Sequence, residues 1–255
     1  MAQATLNGIE IDYAVSGRGR PVILSHGYGA TGRMWDGQRR TLGDRYRLIT
    51  WDMRGHGRTE SPDGARYSTE LTVADMRALL ASLGVSRAVV GGLSLGGYMA
   101  LAFYLAHPEM VDALIICDSG PGYRNAEARN AWNHRANERA ATLEARGLEA
   151  LGGRSREVRD ALGHHKSAQG LAHAARGMLA QQDSRVIDGL ASIRVPTLVI
   201  VGDQDTPFLA PCEYMAKKIP GARLEVIAGA GHASNLDQPE AFDRVLLSFL
   251  DSLPA

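Results

Sequence analysis

The sequence predicts one α/β domain: a mostly parallel sheet with helices on both faces, interrupted by a helical insertion. Three observations lead there. Short apolar runs alternate with stretches whose apolar residues recur at helical spacing, as strands and crossover helices do in a parallel sheet. Glycine-rich turns follow several of those runs, and such turns are where open α/β sheets place their ligand sites. Residues 122–190 then lose the strand rhythm and become rich in Ala, Arg, Glu, Gln and His, a composition that favours helix. A chain of 255 residues suits one such domain with a large core.

The elements follow in order. Ala4–Val15 alternates polar and apolar residues around Asn7-Gly8 and reads as an antiparallel hairpin at a sheet edge. Val22–Ser25, Arg47–Trp51, Ala88–Gly91, Val111–Cys117, Thr197–Val201 and Leu224–Ile227 read as strands. Arg33–Gly43, Leu71–Leu83, Ser94–Ala106 and Pro239–Leu250 read as helices. Asn125–Arg146, Ser155–Ala161 and Ala168–Gln182 are helical segments of the insertion. Long structureless excursions are uncommon in compact domains, so 122–190 is expected to be a helical cap. Residues 1–121 and 191–255 then form the core domain.

Composition narrows the function. Acidic and basic residues balance at 28 each, which points to neither nucleic acid nor an anionic membrane as partner. Cys117 and Cys212 form no C-x-x-C pair and no disulfide framework, as in a reducing compartment; Cys117 closes an apolar run and is expected to be buried. Met1 to Asp12 lacks a basic-then-apolar leader, and no run of 18 apolar residues occurs. A cytoplasmic protein is expected. A homodimer is compatible with the sequence, which leaves the oligomeric state open.

The chemistry centres on Gly92-Leu93-Ser94-Leu95-Gly96, a G-x-S-x-G pattern between a strand and a helix. Its glycines let neighbouring chain pass close to a sharp turn that lifts the Ser94 hydroxyl clear of the sheet. The first N–H groups of the helix then face the reacting carbon. Serine needs a base, and the base needs an acid to hold its tautomer. Among eight histidines, His232 stands on the glycine-rich loop after the last strand and suits the base role. His26 and His56 lie in glycine-rich turns and are expected to make structural hydrogen bonds. His134, His164, His165 and His173 lie in the insertion and are expected to be exposed or to line a pocket.

For the acid, Asp203 and Asp205 both follow the strand Thr197–Val201, Asp118 follows Val111–Cys117, and Asp237 follows the histidine loop. Ser94, Asp205 and His232 give the chain order Ser…Asp…His. Asp203 reads as a turn residue bonding its own backbone. The oxyanion of an attacked carbonyl needs fixed N–H donors: that of Leu95, and one from Ser25-His26-Gly27-Tyr28-Gly29, with Tyr28 the candidate and its side chain in or beside the pocket. Met34, Trp35, Tyr123, Trp132, Met178 and Leu179 are apolar or amphipathic candidates for the substrate pocket. No spacing argues for a metal site, and the chemistry requires no cofactor.

Together, Ser25-His26-Gly27-Tyr28-Gly29, Asp52-Met53-Arg54-Gly55-His56-Gly57, Gly92–Gly97, Gly202-Asp203-Gln204-Asp205 and Gly231-His232 resemble the α/β-hydrolase superfamily over nearly the full chain. The resemblance implies the α/β-hydrolase fold and selects Asp205, three residues after the glycine ending its strand. It implies a mainly structural role for the Asp52–Gly57 turn. The stretch Gly231–Glu240 is similar to enol-lactonases acting on 3-oxoadipate enol-lactone and to related esterases. Serine at position 94 departs from the haloalkane dehalogenases and epoxide hydrolases, which carry Asp there. The expected reaction is therefore acyl transfer from a small to medium, fairly apolar ester or lactone. Perhydrolysis, C–C bond hydrolysis or thioester cleavage by the same residues, and a slow-turnover small-molecule receptor, are the alternatives.

Overall fold

The computed structural model describes residues 2–152 and 155–254. Met1, Ala255 and, inside the predicted cap, Gly153 and Arg154 lie outside the described residues. The chain opens with strands β1 (Ala2–Leu6) and β2 (Ile9–Ser16), paired antiparallel. Strand β3 (Arg20–Ser25), a 3₁₀ turn at Gly32–Trp35, helix α1 (Asp36–Leu42) and strand β4 (Tyr46–Trp51) follow. The single helix expected over Arg33–Gly43 is thus split between the 3₁₀ turn and α1. Next come α2 (Thr69–Ser82), β5 (Ala88–Leu93), α3 (Leu95–Ala106) and β6 (Val111–Cys117). Ser68 starts α2 by accepting a hydrogen bond from the Leu71 N–H at 3.1 Å, an N-cap that satisfies an orphan donor.

Among the described residues, four α-helices then separate β6 from the next strand: α4 (Ala126–Arg146), α5 (Arg156–Ala161), α6 (Ala168–Ala174) and α7 (Arg185–Gly189). The helix expected over Ala168–Gln182 ends early. It passes into a π-helical turn at Ala175–Leu179, where the Ala180 N–H reaches the Ala175 carbonyl at 3.0 Å. Strand β7 (Thr197–Gly202), α8 (Thr206–Lys218), β8 (Arg223–Ile227), α9 (Ser234–Asp237) and α10 (Pro239–Ser252) complete the chain.

Among the described residues, eight strands form one sheet in the order β1-β2-β4-β3-β5-β6-β7-β8. Pairing is antiparallel as far as β2–β4 and parallel beyond it. Strands β5 and β7 are buried along their whole length, the signature of a parallel sheet covered on both sides. Alternate side chains serve the two faces. Ile23, Val90 and Val199 join Leu79, Phe103 and Met215 in one cluster, so α2, α3 and α8 cover that face. Leu24, Val89 and Ile200 join Leu42, Phe242 and Leu246 in the other, so α1 and α10 cover the opposite face. Each of these buried side chains contributes about 2 kcal/mol.

The turn after β4 is locked from within. Asp52 accepts hydrogen bonds from the Gly32 N–H at 2.8 Å and the Arg58 N–H at 2.9 Å. Arg54 forks onto Asp75 of α2 at 2.7 and 2.8 Å, both side chains being buried. Among the described residues no helix is long and apolar enough to cross a membrane.

Candidate active site

The parallel strands end on the same side of the sheet, and the candidate residues gather there. Ser94 follows β5 directly and caps α3, with φ 54° and ψ −115°. A non-glycine residue adopts that conformation only under constraint. Its N–H donates to the Cys117 carbonyl at 2.9 Å, and its own carbonyl accepts from the Ser119 hydroxyl at 2.7 Å. A Cβ on Gly96 would stand 2.3 Å from the Ser25 carbonyl oxygen, and one on Gly92 would stand 2.6 Å from it. The end of β3 therefore slides against the serine turn only because both positions are glycine.

Asp205 and His232 stand on neighbouring loops. Asp205 is buried at the start of α8, with Thr206 and Pro207 opening the helix. His232 Nδ1 lies 2.8 Å from Asp205 Oδ2, the geometry in which a carboxylate holds Nδ1–H and leaves Nε2 free to accept a proton. Burial works against protonating His232. The hydrogen bond and charge of Asp205, with the charges of Glu157 and Asp118, outweigh it and raise its pKa above the ordinary histidine value. The Phe208 ring tilts against His232 with centroids 4.9 Å apart.

Ser94 opens into a cavity of about 170 Å³. Phe208, whose ring packs on His232, lines it too. Leu95, Tyr98, Tyr123, Trp132 and Leu179 supply much of the wall, and Arg135 and Gln181 are its polar members from the insertion. Among the described residues no group of three or more His, Cys, Asp or Glu side chains is placed to hold a metal ion.

The family model described as "Alpha/beta hydrolase family" matches residues 22–245, from β3 to the middle of α10. The chain belongs to the alpha/beta hydrolase family. One relative of this family member is "Putative 2-succinyl-6-hydroxy-2,4-cyclohexadiene-1-carboxylate synthase" of Bacillus subtilis (strain 168), 29% identical over 95% of this chain and 96% of the relative. Another is 3-oxoadipate enol-lactonase 2 of Acinetobacter baylyi (strain ATCC 33305 / BD413 / ADP1), 30% identical over 95% of this chain and 93% of the relative. Among solved structures, a thermophilic esterase from Thermogutta terrifontis superposes with a TM-score of 0.85 at 29% identity, covering 98% of this chain and 97% of that one.

The other candidate carboxylates, Asp118, Asp203 and Asp237, each anchor a loop. Asp118, itself at φ 46°, accepts from the Gly202 N–H at 2.8 Å and the Ser234 hydroxyl at 2.5 Å. It thereby ties the end of β7 to the start of α9. Burial pushes its pKa up to about 7, against the pull of those two hydrogen bonds. Asp203 does not bond its own backbone as expected; it accepts from the Gly229 N–H at 2.8 Å across to the base loop. Asp237 accepts from the Gly231 N–H at 2.9 Å. A Cβ on Gly202 would fall 2.3 Å from the Ala230 carbonyl oxygen, so the Asp205 and His232 loops run close together.

Other placements depart from the sequence reading. Tyr123, Trp132 and Leu179 do line the Ser94 cavity. Met34, Trp35 and Met178 do not. Trp35 packs on Phe242 beneath the opposite face of the sheet, ring centroids 6.2 Å apart, because the 3₁₀ turn points it inward. Met34 packs in the same cluster and borders a separate cavity of about 160 Å³. Met178 is fully buried in the π-helical turn. The Tyr28 side chain leaves the site: its hydroxyl donates to the Leu171 carbonyl at 2.8 Å. The backbone before it stays close, since a Cβ on Gly27 would stand 3.5 Å from Ser94 Cβ.

His26 makes the structural bonds expected, accepting from the Met53 N–H at 2.9 Å through Nε2. His165, expected to be exposed or to line a pocket, is buried instead. Its Nδ1 accepts from the Gly57 N–H at 2.9 Å and its Nε2 donates to the Gly29 carbonyl at 2.8 Å, riveting the insertion to two core turns. Sequence reading missed Phe208, Tyr98, Arg135 and Gln181. Phe208 had a signal, one turn into the helix after the acid loop. Arg135 and Gln181 had none, because only the packing of the insertion brings them over Ser94.

Proposed function

We propose that this chain cleaves small to medium carboxylic esters or lactones through an acyl-serine intermediate. Ser94 is the nucleophile, His232 the base and Asp205 the acid that orients it. The observation supporting this most directly is the 2.8 Å contact between His232 Nδ1 and Asp205 Oδ2, with Phe208, packed on His232, lining the same cavity as the positive-φ Ser94. His232 takes the Ser94 proton as the hydroxyl oxygen bonds to the substrate carbonyl. The N–H groups of Leu95 and Tyr28 hold the oxyanion. Leu95 opens α3, where N–H groups lack intrahelical acceptors. His232 then protonates the departing alkoxide, and water deprotonated by the same imidazole releases the acid.

In this reading, residues 122–190 form a cap, with Tyr123, Trp132 and Leu179 bounding the acyl site. The mainly apolar wall and the limited volume favour small, fairly apolar acyl groups. The likeness to an esterase and an enol-lactonase supports the same substrate class. The name of the Bacillus subtilis relative supports a second reading, in which this serine–histidine pair serves a synthase-type reaction without acyl transfer.

The test is turnover of p-nitrophenyl acetate and of a simple lactone, with mass detection of an acyl group on Ser94 after quenching. Ser94→Ala is expected to lower turnover by about 10⁶. Near-native hydrolysis by Ser94→Ala would sink the proposal. Substrate consumption without any acylated Ser94 would favour the second reading.

A further inference from the structure

The wall of the Ser94 cavity contains a buried polar group that the acyl-transfer chemistry does not use. Gln181 lines the cavity with Ser94 and Leu95 and is 8% exposed. Its backbone is pinned to α4: the N–H donates to Asn133 Oδ1 at 2.7 Å and the carbonyl accepts from Asn133 Nδ2 at 2.8 Å. The π-helical turn at Ala175–Leu179 ends two residues earlier and delivers Leu179 and Gln181 to the same wall. The side chain lies across Gly122, where an added Cβ would stand 2.8 Å from Oε1. Oε1 is buried with no hydrogen-bond partner.

An orphaned buried amide costs about 1–3 kcal/mol, and native interiors rarely leave one unexplained. The two backbone bonds hold the residue against the cavity wall. Its surroundings also indicate the charge of what it meets. The cavity's cation, Arg135, is exposed and sits over the Trp132 ring, 5.7 Å from its centroid. The Tyr98 phenol is neutral, its pKa pushed up to about 12 by burial. The buried polar side chains Gln181 and Tyr98 of the lining are thus neutral, and the one cation among the lining residues is the exposed Arg135. Oε1 is covered in this conformation, and once the side chain turns toward the cavity a hydroxyl fits the amide in either orientation, donating to Oε1 or accepting from Nε2–H.

We infer that Gln181 makes the enzyme selective for acyl groups bearing a neutral hydroxyl. This rests on the Ser94 cavity being the acyl site. Substrates lacking the hydroxyl leave the amide unpaired, the situation in which a polar site discriminates most strongly.

The test compares kcat/KM for p-nitrophenyl 3-hydroxybutyrate, butyrate and hemisuccinate in the wild type, Gln181→Leu and Gln181→Met. The ratio between substrates is read, because loss of folded enzyme cancels in it. The hydroxybutyrate-to-butyrate ratio should fall about tenfold or more in both variants, with the hemisuccinate never preferred by the wild type. A ratio unchanged within about twofold, or a wild-type preference for hemisuccinate, overturns the inference. A second arm measures calorimetric affinity of Ser94→Ala for methyl 3-hydroxybutyrate and methyl butyrate, with and without Gln181→Leu. If the wild type cleaves no ester, acyl transfer fails as the function, and this arm alone judges Gln181: a preference for the hydroxylated ligand that Gln181→Leu abolishes upholds it, and equal affinities refute it.

Discussion

Ser94 and Asp118 are both non-glycine residues with positive φ, at 54° and 46°, each at the carboxyl end of a central strand. Holding such a conformation costs about 1–3 kcal/mol, so the surroundings must impose it. For Ser94 the Cys117 carbonyl and the Ser119 hydroxyl do so. For Asp118 the constraint is its own carboxylate, gripping the Gly202 N–H and the Ser234 hydroxyl. Gly202 lies three residues before Asp205, and Ser234 two after His232, so one buried acid sets the spacing of the other two loops. Asp118→Ala leaves two buried donors unpaired and is expected to lower stability by about 2 kcal/mol, read from urea unfolding. Asp118→Asn keeps an acceptor for Gly202 and gains a donor for Ser234, so it should lose less than half as much. Equal losses would show that the pairing is not what the carboxylate contributes. Ser94 was legible in the sequence because its motif names both the residue and its turn. The task of Asp118 was not legible, because its partners are 84 and 116 positions away.

At the level of elements, close approach decides the site. The β5–Ser94–α3 unit abuts the end of β3 at Gly92 and Gly96, and β7 meets the base loop at Gly202. Gly96→Ala would drive a methyl group into the Ser25 and His26 carbonyls, 2.3 and 2.8 Å from its Cβ. The expected cost is about 3 kcal/mol, seen as a lower melting temperature, together with loss of ester turnover as Gly27 and Tyr28 move away from Ser94. Unchanged turnover at full occupancy of the fold would argue against a part for that turn in holding the oxyanion. The core elements were readable to within a few residues because strand and helix periods differ. The insertion was readable only as helical: its α6 gives way to a π turn, and neither Met178 nor Gln181 carries a mark of which one faces the cavity.

Across the whole molecule, histidines are pushed in opposite directions by their surroundings. Burial lowers the pKa of His26 to about 4, against the opposing bond to Gly27. Burial also lowers His56 and His165, and the rings pack near one another, His26 and His56 having centroids 4.9 Å apart. His232 is raised. In a proton NMR titration, His26 should stay neutral until about pH 4, whereas His232 should titrate above the ordinary value of about 6.5. Titration of both at the ordinary value would contradict this account. The stability linkage follows in sign. Unfolded His26 takes up a proton first, so its contribution is present above about pH 6.5 and lost as pH falls through its folded value. His232 contributes below about pH 6.5 and loses that contribution as pH rises through its folded value. Asp52 and Asp118, both raised chiefly by burial, act against His26 on the acid side.

The order of strands and helices, the serine turn and the set of candidate acids and bases were determined by the sequence alone. Each of these depends on neighbours within a few positions: residue period, a glycine two places away, a loop directly after a strand. Only the tertiary structure decided that Asp118, Asp203 and Asp237 brace the loops and that Trp35 and Met178 belong to the core. It also decided that Gln181 faces the Ser94 cavity. Those outcomes depend on contacts between residues far apart in the chain, where side-chain direction and the docking of whole elements matter and local pattern is silent.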